Sequence, residues 1–197
     1  MYRSKKYEDF AYVLDIFSPE HRPLQHNIMI GKNELIAQML GEQFFTLLEA
    51  AISVKHKPLI GIRMYIGRDV PRSILRIIRR IRYEDLTQNA KNELINVVRK
   101  IVESDEKRFI EFFNTSTPVT PRMHALELIP GIGKKIAMKI LEEREIQPFS
   151  SYEDLKKRVG FQDPVKALTN RILYELMNVD EKHRIFVREP ASQIREI

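Results

Sequence analysis

Two kinds of periodicity, in separate parts of the chain, predict an α+β protein with a small β-barrel in front and an all-α unit behind. The first third holds closely spaced short stretches rich in aromatic and branched residues and cut by Pro and Gly, the pattern of a small closed or nearly closed barrel. From residue 84 onward apolar residues recur at three- and four-residue spacing, as on amphipathic helices. A polar segment with two prolines, residues 114–121, reads as the clearest linker.

Residues 10–17 (Phe-Ala-Tyr-Val-Leu-Asp-Ile-Phe) form the first predicted strand, stopped by Ser18-Pro19. A loop over 20–25 leads to a second short strand, 27–30, ended by Gly31. Residues 34–40 suit a short helix or an irregular crossing. Further strands cover 44–52 and 59–66, the latter with Gly61 inside and Gly67 behind it. In that last strand Ile62, Met64 and Ile66 alternate with Arg63 and Tyr65. A cation beside an aromatic on an outer face offers stacking plus phosphate contact to single-stranded nucleic acid; the plainer alternative is a solvated strand face. Leu14, Ile16, Leu48, Ile62 and Met64 are the expected barrel core.

Residues 68–82 carry six arginines against one aspartate. Asp69 suits an N-cap and Pro71 a first helical turn. Val70, Ile74, Ile77, Ile78 and Ile81 would share one helical face. Arg68, Arg72, Arg76 and Arg79 or Arg80 would line another, a one-signed stripe suited to phosphates. The far end, 80–83, is placed to turn extended and close the barrel as a fifth strand.

A long helix is predicted over 84–103, capped by Thr87 and buried through Ala90, Leu94, Val97, Val98, Ile101 and Val102. A second covers 106–113, with Phe109, Ile110, Phe112 and Phe113 along its apolar edge. Beyond the linker, Met123, Leu126 and Ile129 recur at helical spacing, then Leu128-Ile129-Pro130-Gly131-Ile132-Gly133-Lys134-Lys135-Ile136-Ala137 makes a tight turn into a helix. Gly131 and Gly133 admit backbone angles closed to other residues and keep side chains away from a ligand. Ile132 plugs back into the helix pair. The turn amides merge with the unpaired N–H groups opening the next helix, an anion site to which Lys134 and Lys135 add charge. Pro148 to Ser151 cap a helix over 152–159, residues 160–164 make a second turn, and a last helix covers 165–177. Residues 184–188 read as a terminal strand or a basic tail.

The residues 128–140 resemble a helix-hairpin-helix motif: an apolar residue, Pro-Gly-Ile-Gly, two variable residues and a small residue opening an apolar face. That resemblance implies sequence-independent binding to the nucleic-acid backbone, sometimes with a monovalent cation held by hairpin carbonyls. Pro148-Phe149 and Ser151-Tyr152-Glu153-Asp154-Leu155 are similar to the segment that follows the first hairpin in tandem helix-hairpin-helix proteins of DNA uptake and repair. The second turn keeps only Gly160 of the glycine pair, and Asp163-Pro164 stand where lysines would. It is expected to pack rather than bind.

Along nearly its whole length the chain resembles an uncharacterised archaeal family of predicted RNA-binding proteins with an OB-like N-terminal domain and a C-terminal helix-hairpin-helix domain. Tyr12-Val13-Leu14-Asp15, Phe44 to Glu49, Tyr65-Ile66-Gly67, Tyr83 to Thr87 and the hairpin carry that likeness. The resulting plan is an OB-like β-barrel over 1–83 with its arginine-rich segment 68–82, a helical connector over 84–117, a degenerate tandem helix-hairpin-helix domain over 118–180, and a tail or short strand over 181–197.

A net charge of +6 over 197 residues and a pI near 9.5 favour anionic partners. The absence of cysteine excludes disulfides and thiolate metal sites, and the five histidines lack ligand spacing. No apolar run reaches membrane-spanning length and no signal-like core follows the N-terminus, so a cytoplasmic location is expected. Plentiful Glu, Lys, Arg and Ile suggest a thermophile. The favoured function is non-enzymatic nucleic-acid binding, RNA before DNA, with no cofactor beyond that cation. Gly131, Ile132, Gly133, Lys134, Lys135, Arg72, Arg76, Arg79, Arg80, Arg63 and Tyr65 are the expected contacts. Two alternatives are a DNA glycosylase or lyase of the helix-hairpin-helix class, using Lys135 with Glu153 or Asp154, and a protein-interaction module using the hairpin.

Overall fold

The first strand forms where its aromatic and branched residues predict, as β1 (Phe10–Phe17). Four more follow: β2 (Glu34–Gly41), β3 (Leu47–Ser53), β4 (Arg63–Tyr65) and β5 (Leu75–Arg80). The structure, a computed structural model, describes residues 7–21 and 30–188, so most of the strand expected over 27–30 lies outside the described residues. The chain divides into two compact units. One comprises 1–97 with 176–180 and 186–197; the other comprises 98–175 with 181–185.

In the first unit the five strands pair antiparallel in the order β4-β1-β2-β3-β5. Among the described residues β4 and β5 are therefore edges, and the sheet is open. This corrects the expected OB-like barrel. β4 is only three residues long; just ahead of it Gly61, at φ +74, and Ile62 still bond the backbone of Val13 in β1. Register slips between Val13 and Asp15 and between Glu49 and Ala50 mark bulges, which add local twist without closing the sheet.

β2 corrects a second expectation, that of a helix or irregular crossing. Residues 36–41 are all buried, so the strand shows no alternation, and pairing with β1 and β3 overrides its helix-forming composition. The arginine-rich helix is a third correction. Ile74, Ile77, Ile78 and Ile81 are β-branched and suit extended backbone, and β5 runs beside β3 while Pro71 only opens a turn closed by Ile74 N–H. One face of the sheet packs Ala11, Val13, Ala37, Met39, Leu48, Ala50 and Ile52 into a core, with Ile66 and Leu75. Leu14 and Leu48 are buried as expected and Ile16 and Met64 half-buried, but Ile62 is 43% exposed.

On the sheet's other face Gln38 holds the chain that enters α1 (Gln88–Ser104). Its Nε2 donates to the Asp85 carbonyl at 2.8 Å and its Oε1 accepts from the Thr87 amide at 2.8 Å. Thr87 caps α1, its Oγ1 accepting from Ala90 N–H at 3.0 Å, and the predicted apolar face of that helix is buried throughout.

The second unit contains α2 (Glu106–Thr115), a two-stranded ribbon of β6 (Pro118–Thr120) and β7 (Met123–His124), a 3-10 turn (Ala125–Leu128), α3 (Lys134–Ile146), α4 (Tyr152–Val159) and α5 (Pro164–Met177). The ribbon corrects the all-α expectation. Asn114 latches the Pro148-Phe149 segment from both sides, Nδ2 donating to Phe149 O at 2.9 Å and Oδ1 accepting from Phe149 N at 2.8 Å. Residues 184–188 form no strand; Arg188 N–H bonds Phe44 O at 3.0 Å within the first unit.

Candidate nucleic-acid interface

The approach to the Pro130-Gly131 turn is fixed by a reciprocal cap. His124 Nδ1 accepts from Leu126 N–H at 3.1 Å, and Glu127 Oε1 accepts from His124 N–H at 2.8 Å. The element ahead of the turn is thus a single 3-10 turn after a strand, where helical spacing predicts an α-helix. Leu126 and Ile129 are still buried. Partial burial, with Arg144 nearby, holds the His124 imidazole below its ordinary pKa, which suits the neutral ring that the cap requires.

Gly131 sits at φ +88, where a side chain would be strained. Ile132 folds back to 3% exposure, as its place between two glycines predicts. Gly133 differs from the expectation. Its φ is −87 and ψ 176, ordinary extended backbone, and a Cβ there would meet no atom within 4 Å. The fold does not need glycine at this position. Gly133 is the N-cap of α3 and offers no side-chain cap, so the first amides of that helix stay open beside exposed Lys134 and Lys135.

The second turn is built differently. Gly160, at φ +83, ends α4, and Asp163 caps α5: its Oδ1 accepts from Lys166 N–H at 2.9 Å and its carbonyl from Ala167 N–H at 3.1 Å.

Residues that sequence reasoning missed lie beside the first turn. Residues 127–133 and Asn170, Arg171 and Tyr174 of α5 line a groove of about 560 Å³. Asn170 and Tyr174 are one helical turn apart and exposed. That spacing is a signal available in the sequence, but nothing in it places α5 beside residue 131. Arg171 is buried and paired with Glu175 at 2.8 Å, so it adds little net charge to the groove.

The arginines of the first unit are mostly engaged. Arg63 makes a two-pronged pair with Glu42 at 2.7 and 2.8 Å and lies 3.5 Å over the Phe10 ring; the Glu42 hydrogen bond raises its pKa. Tyr65 packs edge-on against Phe10 and its hydroxyl meets Asp69 at 3.3 Å. Arg76 pairs with Glu34 at 3.2 Å, and Arg79 with Glu49 at 2.9 Å and Asp85 at 3.6 Å. Among the described residues no carboxylate pairs with exposed Arg72 or half-buried Arg80. The structure therefore does not assemble the arginines into one free stripe.

Asp154 is committed to its own helix start. It accepts from Ser150 N–H at 3.0 Å and meets Arg158 at 3.4 Å; the Ser150 bond leads in holding its pKa below the ordinary carboxylate value. Lys135 and Glu153 are exposed. Among the described residues no three His, Asp or Glu side chains cluster to hold a metal, and no helix is long and apolar enough to cross a membrane.

Residues 7–188 match a family model described as "Protein of unknown function (DUF655)". The chain belongs to the DUF655 family. A similar solved structure is the crystal structure of the DUF655 protein Af1531 from Archaeoglobus fulgidus. It is 45% identical with a TM-score of 0.77, and the match covers 92% of this chain and 100% of that one. The uncharacterised protein MJ0038 of Methanocaldococcus jannaschii is 38% identical over 187 residues, 94% of this chain and 82% of that protein. Kinship with uncharacterised archaeal proteins, expected from the sequence, thus holds for this DUF655 member.

Proposed function

We propose that this DUF655 protein is a non-enzymatic nucleic-acid-binding protein that grips the phosphate backbone with little sequence preference, RNA before DNA. The observation that supports it best is the start of α3: an N-cap glycine in open space, uncapped amides and two exposed lysines. On this reading residues 128–140 work as a helix-hairpin-helix element, with the α3 amides and Lys134 and Lys135 meeting one phosphate. The preference for RNA rests on the resemblance to predicted RNA-binding proteins. A monovalent cation belongs to the same reading. The carbonyls of Leu126 and Ile129 each accept one amide, from Ile129 and Ile132, and keep a second lone pair for such an ion. Arg72 and Arg80 supply further positive charge from the first unit.

The test is the salt dependence of binding. Lys134→Ala with Lys135→Ala should reduce the slope of log affinity against log salt by about 0.7–0.9 for each phosphate no longer neutralised, with circular dichroism unchanged. An unchanged slope and affinity would make this turn a structural corner only.

A further inference from the structure

We infer that the groove between the 128–133 turn and α5 receives one unpaired nucleobase, so that the strand held at α3 is single at this point. The inference rests on the phosphate-binding reading and adds a substrate class to it. Tyr174 is 47% exposed on the groove. Its ring is held from two sides, by the Arg171 guanidinium 5.3 Å from the ring centroid and by the hydroxyl's hydrogen bond to Glu181. A ring fixed in this way is a ready stacking plate, since little side-chain freedom remains to be lost on binding. One turn earlier, exposed Asn170 carries both a donor and an acceptor, the pair needed along a base edge. Leu128, Ile129 and Pro130 add apolar lining, and the volume of about 560 Å³ falls within the usual range for a small-ligand site.

Charge complementarity selects the occupant. Gly133 lines the same groove and leads directly into Lys134 and Lys135, so a phosphate at the α3 amides leaves its own or the next base at the groove mouth. A base within a duplex has both faces stacked and its pairing edge occupied, so it offers Tyr174 and Asn170 nothing to take. An unpaired base offers both.

The experiment compares the full chain on three labelled ligands of equal length: a single strand, the same strand as an abasic sugar-phosphate chain, and a duplex. Single-stranded RNA and DNA are both run. The wild type should bind the single strand roughly five- to a hundredfold more tightly than the abasic chain, the range expected for one stacked base. Tyr174→Leu should erase that difference without altering the salt slope, and Tyr174→Phe, which keeps the ring, should retain it. Equal affinity for single and abasic strands, or a duplex preferred to both, overturns the subsite. So does a loss in Tyr174→Phe as large as in Tyr174→Leu, because the hydroxyl tie to Glu181 would then be the cause. If the subsite fails while Lys134→Ala with Lys135→Ala still lowers the slope, phosphate binding survives alone. If the lysine variant changes nothing, both readings fall together.

Discussion

The two glycine turns of the second unit share a plan and differ in the residue that opens the following helix. At the first turn that residue is Gly133, and the amides of α3 face solvent without a side-chain cap. At the second it is Asp163, whose carboxylate already sits on the amide of Lys166. A helix start attracts one anionic group at close range. The second turn supplies its own; the first supplies none, and that is where the proposed phosphate would sit. An N-cap aspartate and a bound phosphate are, in this sense, competing solutions to the same four orphan amides.

Copying one solution onto the other turn challenges this contrast most severely. Gly133→Asp should lower nucleic-acid affinity by about tenfold or more, through blocked amides and added repulsion, while raising stability by about a few tenths of a kcal/mol. Unchanged affinity by fluorescence anisotropy would remove the distinction between the turns. Asp163→Ala is the converse. Denaturant unfolding should show a loss of about 1 kcal/mol with the cap gone, and affinity should stay within about twofold of wild type. Gly131→Ala should likewise cost about 1 kcal/mol, because φ there is +88 and the new Cβ lies 3.4 Å from Phe161 Cε2. A stabilised variant would show that the turn relaxes freely.

The smallest expected effect concerns pH. The His124 pKa is lowered in the fold from its ordinary 6.5, so the cap's contribution is complete above that value and is lost as pH falls through the lower, folded one. Thermal melts from about pH 7.5 to about pH 5 should show a decline that His124→Asn, a capping residue that does not titrate, makes shallower. Parallel curves for the two proteins would dismiss His124 as the group responsible.

How far a pattern can be read from sequence depends on how many competing explanations it has. α1, with Thr87 at its head and an unbroken apolar face, has only one good reading, and the structure agrees. β1 is similar. β2 defeats period-based reading because a strand buried on both faces loses its alternation. The 68–82 segment misleads for another reason: its isoleucines fall at helical spacing while their branching favours a strand, and pairing with β3 decides between the two. At the candidate site, Ile132 and the exposed lysines are readable from the motif. The contrast between Gly131 and Gly133 is not, since φ depends on the turn as built. Asn170 and Tyr174 stand far downstream of the turn, beyond the reach of any local spacing rule.

The open sheet gives one arginine of β5 a task unrelated to ligands. An edge strand displays unpaired backbone groups and invites another strand to continue the ladder, so exposed edges are commonly guarded by charge or kept short. β4 is kept short, at three residues. β5 is longer and carries Arg76, Arg79 and Arg80 among its six residues. Arg76 and Arg79 are already paired with Glu34, Glu49 and Asp85, so in two copies laid edge to edge along β5 it is Arg80 that would meet its own like charge and oppose a longer ladder.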